Sequence, residues 1–192
     1  LKEKEIDMLK KRVELFEKRL QRMILSDHIV MDAKIAKTSE MLKFPEQKKL
    51  KYKPIKEGSK WGGAWDCVWF ELNAQIPQSW AGKEIVAQLD LSGEGLVFNS
   101  SGEAIQSITS GSVFQADYSK DVCYITKKCE GGERLQLWVE AVGNALFGVN
   151  RKPDSEPDDP DRHGTFDAIA NKMRVCVFNR EIYDLWIDFE IV

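Results

Sequence analysis

Catalysis needs titratable groups gathered in one place, and this chain offers few candidates. It has two histidines, His28 and His163, and neither sits in an HExxH, HxH or other spaced metal set. No GxSxG elbow occurs, and the glycines of WGGAW at 61–65 lack the Lys-Ser/Thr that a phosphate loop requires. Two carboxylate pairs could in principle do acid–base work on a glycosidic bond: Asp90 with Glu94, and Asp66 with Glu71. Both lie at strand ends, where acids ordinarily serve solubility and turns. Asp154, Glu156, Asp158, Asp159 and Asp161 supply the oxygens a calcium ion would need, but they lack glycine-centred EF-hand order. Prolines also limit their convergence, so a solvated loop is expected. No catalytic residue and no metal ligand is therefore assigned.

The aromatic residues are more informative. Trp61, Trp65, Trp69 and Trp80, four of the six tryptophans, fall within 61–80. Along the strand expected from Trp65 to Asn73, Trp65, Cys67 and Trp69 share one face, while Val68, Phe70 and Leu72 share the other. Both faces are largely apolar, unlike a sheet open to water on one side. One face belongs to a core. The other is a sugar platform or is covered by protein, which makes Trp65, Trp69 and Glu94 the sugar- or interface-contact candidates.

These residues must be positioned by a mainly β domain with flanking helices. Val68/Phe70/Leu72, Ile85/Ala87/Leu89/Leu91 and Leu135/Leu137/Val139/Ala141 each alternate with a second set, the signature of antiparallel strands. Turn clusters such as Ala81–Gly82–Lys83 and Ser100–Ser101–Gly102 separate them. An antiparallel β-sandwich follows, jelly-roll-like and galactose-binding-like, with Arg174–Phe178 as a last strand.

Ahead of it, Ile6, Leu9, Val13, Phe16, Leu20 and Met23 alternate three and four apart and predict a helix over 1–25. This stripe is shorter than a firm coiled coil needs, so it is expected to pack on the chain's own body or on a neighbouring domain. A short helix is expected near Ala33–Leu42. The expected divisions are a helix and connector at 1–56, the sandwich at 57–180 with an acidic loop at 150–164, and the start of a helix at 181–192. Ile182, Leu185, Trp186 and Phe189 share a face of that last helix. The chain closes on Ile191–Val192 without a cap, and the expectation is that more protein follows.

Length, charge and cysteine usage narrow the class. The chain has 192 residues, 43% apolar and 31% charged, and can bury a sizeable core. Its net charge of −3 argues against a general nucleic-acid binder. No apolar run approaches the roughly 18 residues of a membrane span. Cys67, Cys123, Cys129 and Cys176 show no CxxC spacing and read as reduced thiols, with Cys67 and Cys176 as small core residues in a cytoplasmic protein.

Four segments carry a resemblance. WDCVWFELNAQIP followed by QSWAGKEIVAQLDL is similar to the entry of a jelly-roll domain found in glycoside hydrolases. GEGLVFNSSGEAIQSI resembles its hairpin, LWVEAVGNALFG its closing segment, and VFNREIYDLWIDFEIV the helix leading to a catalytic domain. In this order they resemble the N-terminal, non-catalytic region of the family 38 α-mannosidases of the cytosolic and vacuolar type, over about residues 55–192.

The resemblance implies a parent enzyme that hydrolyses terminal α-mannosides with retention, using zinc and an aspartate in a separate catalytic domain. The H-x-D motif of that site has no match here, so no catalytic residue carries over and no cofactor is expected in this chain. The implied partners are a C-terminal catalytic domain of the same polypeptide, a homo-oligomer and α-mannosides; neither nucleic acid nor membrane is among them. An autonomous carbohydrate-binding module is the alternative.

Overall fold

The computed structural model describes residues 3–40, 42–44, 46–63, 65–110, 119–143 and 167–191. The acidic loop at 150–164 and His163 lie outside them. A helix, α1 (Glu3–Ile24), leads into β1 (Leu25–Val30) and β2 (Asp32–Thr38). Next come β3 (Lys53–Ile55), β4 (Lys60–Gly62), β5 (Cys67–Gln75) and β6 (Ile85–Asp90). The hairpin β7 (Glu94–Asn99) and β8 (Ala104–Thr109) follows, then β9 (Val122–Thr126) and β10 (Arg134–Val142). The described chain closes with β11 (Ala168–Ile169), β12 (Lys172–Phe178) and α2 (Arg180–Ile191).

Two antiparallel sheets face each other. One has the order β3-β2-β5-β10-β7-β8 and the other β1-β12-β6-β9. Alternation on the strands delivers one apolar set from each sheet to the space between them. Val68, Phe70 and Leu72 of β5 and Leu137, Val139 and Ala141 of β10 meet Ile85, Ala87 and Leu89 of β6 and Met173, Val175 and Val177 of β12 in one core. Trp61 and Trp80 are buried in the same core.

Each sheet is also covered on its outer face, so the apolar second faces expected for the strands are real. Val86, Cys176 and Phe178 form a second cluster beneath Ile24, Leu25 and Tyr183, where the two helices meet the smaller sheet. Asn179 caps α2 by accepting the Ile182 N–H at 3.2 Å, and its own N–H donates to the Ile24 carbonyl at 2.8 Å, tying both helices to one corner. On the larger sheet, Phe44 stacks on Phe98 with ring centroids 5.7 Å apart and tilts over Trp69 at 6.4 Å. Tyr52 packs edge-on against Trp138 at 5.6 Å and donates its hydroxyl to the fully buried Gln47 Oε1 at 2.6 Å.

Three expectations are corrected here. The segment 32–38 is strand β2, in register with β5 from Asp32↔Asn73 to Thr38↔Cys67, and not a helix. Its Ala33 and Ile35 alternate into the core, and sheet pairing overrides helix propensity in so short a run. Cys67 is exposed, not a core residue, because it shares the outer face of β5 near the sheet end; Cys123, Cys129 and Cys176 are buried. The part of 1–56 that follows the first helix, expected as a connector, supplies β1, β2 and β3 to the sheets.

Candidate functional site

Gly62, Gly63, Trp65 and Asp66 form a tight corner between β4 and β5. Trp61 anchors it from below: its ring is buried edge-on to Phe70 at 5.8 Å, and Nε1 donates to the Leu91 carbonyl at 2.9 Å. Asp66 closes the turn by accepting the Gly63 N–H at 2.9 Å and pairing with Lys37 Nζ at 3.0 Å. These contacts, the Gly63 N–H first, hold its carboxyl below the usual carboxylate range. A Cβ on Gly62 would strike the Asp66 side chain, and one on Gly143 would strike the Gly63 carbonyl, so both positions need glycine for close approach.

Trp65 sits at the top of this corner. Its φ of +68° is a left-handed conformation that an aromatic residue adopts at a cost of about 1–3 kcal/mol. The surroundings impose it: Trp65 N–H donates to the Gly143 carbonyl at 2.8 Å, and Gly143 N–H donates to the Asp66 carbonyl at 2.9 Å. Trp65 as a residue is 61% exposed. Trp69, expected beside it as a partner platform, is 0% exposed beneath Phe44 and Phe98 and offers no face to a ligand. The left-handed turn lifts Trp65 off the strand, so the two rings do not form the flat pair that strict alternation suggested.

Glu94, the third candidate, shares Trp65's end of the larger sheet. Cys67, Val142 and Glu94 lie in one row across β5, β10 and β7, and Gly143 follows Val142 directly. Two rows in, Glu140 stands between Trp69 and Leu96 on the same outer face. Burial raises the Glu140 carboxyl above its ordinary pKa. Glu94 and Glu140 are diagonal neighbours, about 7–8 Å apart at Cα by sheet geometry. Leu96 and Cys67 are exposed. This end of the larger sheet thus carries an exposed tryptophan at its corner, exposed Cys67 and Leu96, and two carboxylates, residue types that suit an amphipathic surface or sugar hydroxyls.

Reasoning from the sequence missed Glu140 and Leu96. The signal was present only as alternation, and their neighbours depend on which strands pair. Of the carboxylate pairs singled out earlier, Asp90, Asp66 and Glu71 serve the scaffold. Asp90 Oδ1 accepts the Ser92 N–H and the Asn171 amide, and Glu71 pairs with Lys34 at 3.6 Å. Among the described residues, no group of three or more His, Cys, Asp or Glu could hold a metal ion. His28 lies exposed on β1, opposite Cys176.

Comparison with known proteins agrees with this architecture. The family model described as the jelly roll domain of alpha-mannosidase matches residues 28–168. Alpha-mannosidase G of Dictyostelium discoideum is 29% identical over 159 residues, which cover 83% of this chain and 14% of that protein. Alpha-mannosidase 2C1 of Homo sapiens is 28% identical over 159 residues, covering 81% of this chain and 14% of that protein. The chain thus spans about one seventh of the length of the relatives it matches. Among solved structures, a β-glucuronidase from Ruminococcus gnavus superposes over 80% of this chain and 30% of its own, with a TM-score of 0.49 and 12% identity.

Proposed function

Because the chain belongs to the α-mannosidase jelly roll domain family, we propose that it serves as the N-terminal accessory β-sandwich of an α-mannosidase and supports, by packing and oligomer contacts, a catalytic domain that lies elsewhere in the parent protein. The parent would hydrolyse terminal α-mannosides of oligosaccharides in the cytoplasm, with zinc held in its catalytic domain. The observation that carries this reading is the match of residues 28–168 to the jelly roll domain of alpha-mannosidase, set beside the single sandwich core that those residues build. The described donors do not fit a zinc site, which needs at least three converging protein ligands. No helix among them is long and apolar enough to cross a membrane.

The experiment supplies an aryl α-mannoside and zinc to the chain alone, then repeats the assay with the catalytic remainder of the parent added in trans. No turnover is expected from the chain alone, and co-purification with the remainder is expected. Turnover by the chain that a chelator abolishes would overturn the reading.

A second reading, an autonomous carbohydrate-binding module, is favoured by one observation, the exposure of Trp65 at the end of the sheet that carries Glu94. Titration with mannose and mannobiose, followed by tryptophan fluorescence, separates the two. A saturable change lost in Trp65→Ala would establish the module. A flat titration at millimolar sugar would dismiss it.

A further inference from the structure

Glu140 is a carboxylate without a counter-charge. It faces outward from β10 between two apolar neighbours, Trp69 of β5 and Leu96 of β7. The Trp69 and Phe98 rings meet across β10, 5.4 Å between centroids. Glu140 itself is half-buried. Burial is the one effect that acts on its carboxyl: among the described residues, no hydrogen bond and no ion pair reaches it. Other acids of this sheet are balanced. Glu71 pairs with Lys34 and accepts the amides of Asn73 and Gln136, and Asp66 pairs with Lys37. Lys120 reaches the row of Glu140 but donates to Ser107, two strands away.

A charge held partly out of water with no partner lowers stability. The sandwich does not need it, since Glu140 lies on the outer face and contributes nothing to the core between the sheets. Residues that break a local rule in this way mark places where something else supplies the compensation. The surroundings say what that is. Glu94, diagonal to Glu140 on β7, carries the same sign, so a cation is favoured. An ammonium or guanidinium makes a charge-assisted bond roughly twice as strong as one from a neutral donor. A sugar offers hydroxyls alone and leaves the charge unbalanced. Exposed Leu96 and Cys67 on the flanking strands, with Trp65 at the corner of the same sheet end, provide apolar surface for the stem of a long basic side chain and its neighbours.

We propose that the outer face around Glu140 docks a basic, otherwise apolar segment of the parent's catalytic remainder, whose lysine or arginine pairs with Glu140 while its apolar neighbours cover Leu96 and Cys67. This rests on the accessory reading above and names the surface and the partner chemistry through which the packing is made.

The test measures binding of the 192-residue chain to the catalytic remainder by calorimetry, and stability of the chain alone by urea denaturation. Glu140→Gln is expected to weaken binding by roughly tenfold or more. It should leave the urea midpoint of the chain alone unchanged or higher, because a neutral amide removes the unbalanced charge. A glutamate with only a structural role would behave in reverse, with a lower midpoint and unchanged affinity. Leu96→Lys places a cation directly opposite Glu140 within the chain. It should raise the urea midpoint and also weaken binding, which keeps the test open should Glu140→Gln fail to fold. Added salt should weaken binding of the unaltered chain more than that of Glu140→Gln. Binding that neither substitution changes would overturn this inference and leave the accessory reading intact. A saturable mannobiose response of the chain alone that Glu140→Gln abolishes would also overturn it, by assigning the face to a sugar. An unaltered chain that does not bind the remainder at all would overturn both.

Discussion

The Trp65 N–H donates to the Gly143 carbonyl at 2.8 Å, and through this bond the start of β5 is clamped to the end of β10 with Trp65 held left-handed at φ +68°. The clamp presents an indole to solvent at a backbone cost that nothing in the fold requires of that side chain.

Trp65→Gly should therefore leave stability within about 1 kcal/mol of the parent in urea denaturation, since glycine adopts this φ freely while losing some entropy advantage in the unfolded state. Trp69→Ala should by contrast cost about 3–5 kcal/mol, as expected for a fully buried aromatic residue. If Trp65 is an interface anchor, Trp65→Gly should also lose co-purification with the catalytic remainder. A large loss of stability in Trp65→Gly would show that the ring is structural.

Glu57 links the loop before β4 to β12. Its carboxylate takes Nε and Nη2 of Arg174, both at 2.8 Å, and the Met173 N–H at 2.9 Å. Hydrogen bonding to Arg174 leads the effects that hold its carboxyl below the ordinary value of 4.5, opposed in part by burial. A carboxyl lowered in the folded state stabilises the fold above its unfolded pKa, and that contribution fades as pH falls through the folded one. Glu57→Gln should cost about 1–3 kcal/mol at neutral pH, because the partly buried Arg174 and the Met173 N–H lose their charged acceptor. The difference between the two proteins should shrink on acidification below the unfolded value. Denaturant midpoints measured from neutral to acid pH check this, and a gap independent of pH would refute it.

Gly102 and Phe44 form the edge of the cover over the larger sheet. Gly102 has φ +89°, and a Cβ there would run into the Phe44 ring. Gly102→Ala should therefore cost about 1–3 kcal/mol from overpacking and added strain. It should also shift tryptophan emission to the red as Phe44 is displaced from Trp69. Unchanged emission and an unchanged melting temperature would mean that the cover adjusts without strain.

Much of this molecule was legible in its sequence wherever a local rule was enough. The period of apolar residues marked α1, α2 and the alternating strands, because helices and strands repeat at 3.6 and 2 residues whatever surrounds them. It also placed Val68, Phe70 and Leu72 on one face and Trp69 on the other. Alternation could not say what covers each face. Trp69 is buried because Phe44 and Phe98 come to it from distant positions, and Cys67, on the same face, is exposed because that cover stops short of the sheet end.

The segment 32–38 shows the same limit. Seven residues carry too little periodicity to declare a strand, and only pairing with β5 decides it. The candidate patch is likewise a product of register. Glu140 and Glu94 become neighbours because β10 pairs with β7, and Trp65 projects because Gly143 receives its N–H. Residue types and local period thus determined the elements and their apolar faces. Tertiary structure alone decided which faces are covered and which residues meet, because those depend on contacts between segments far apart in the chain.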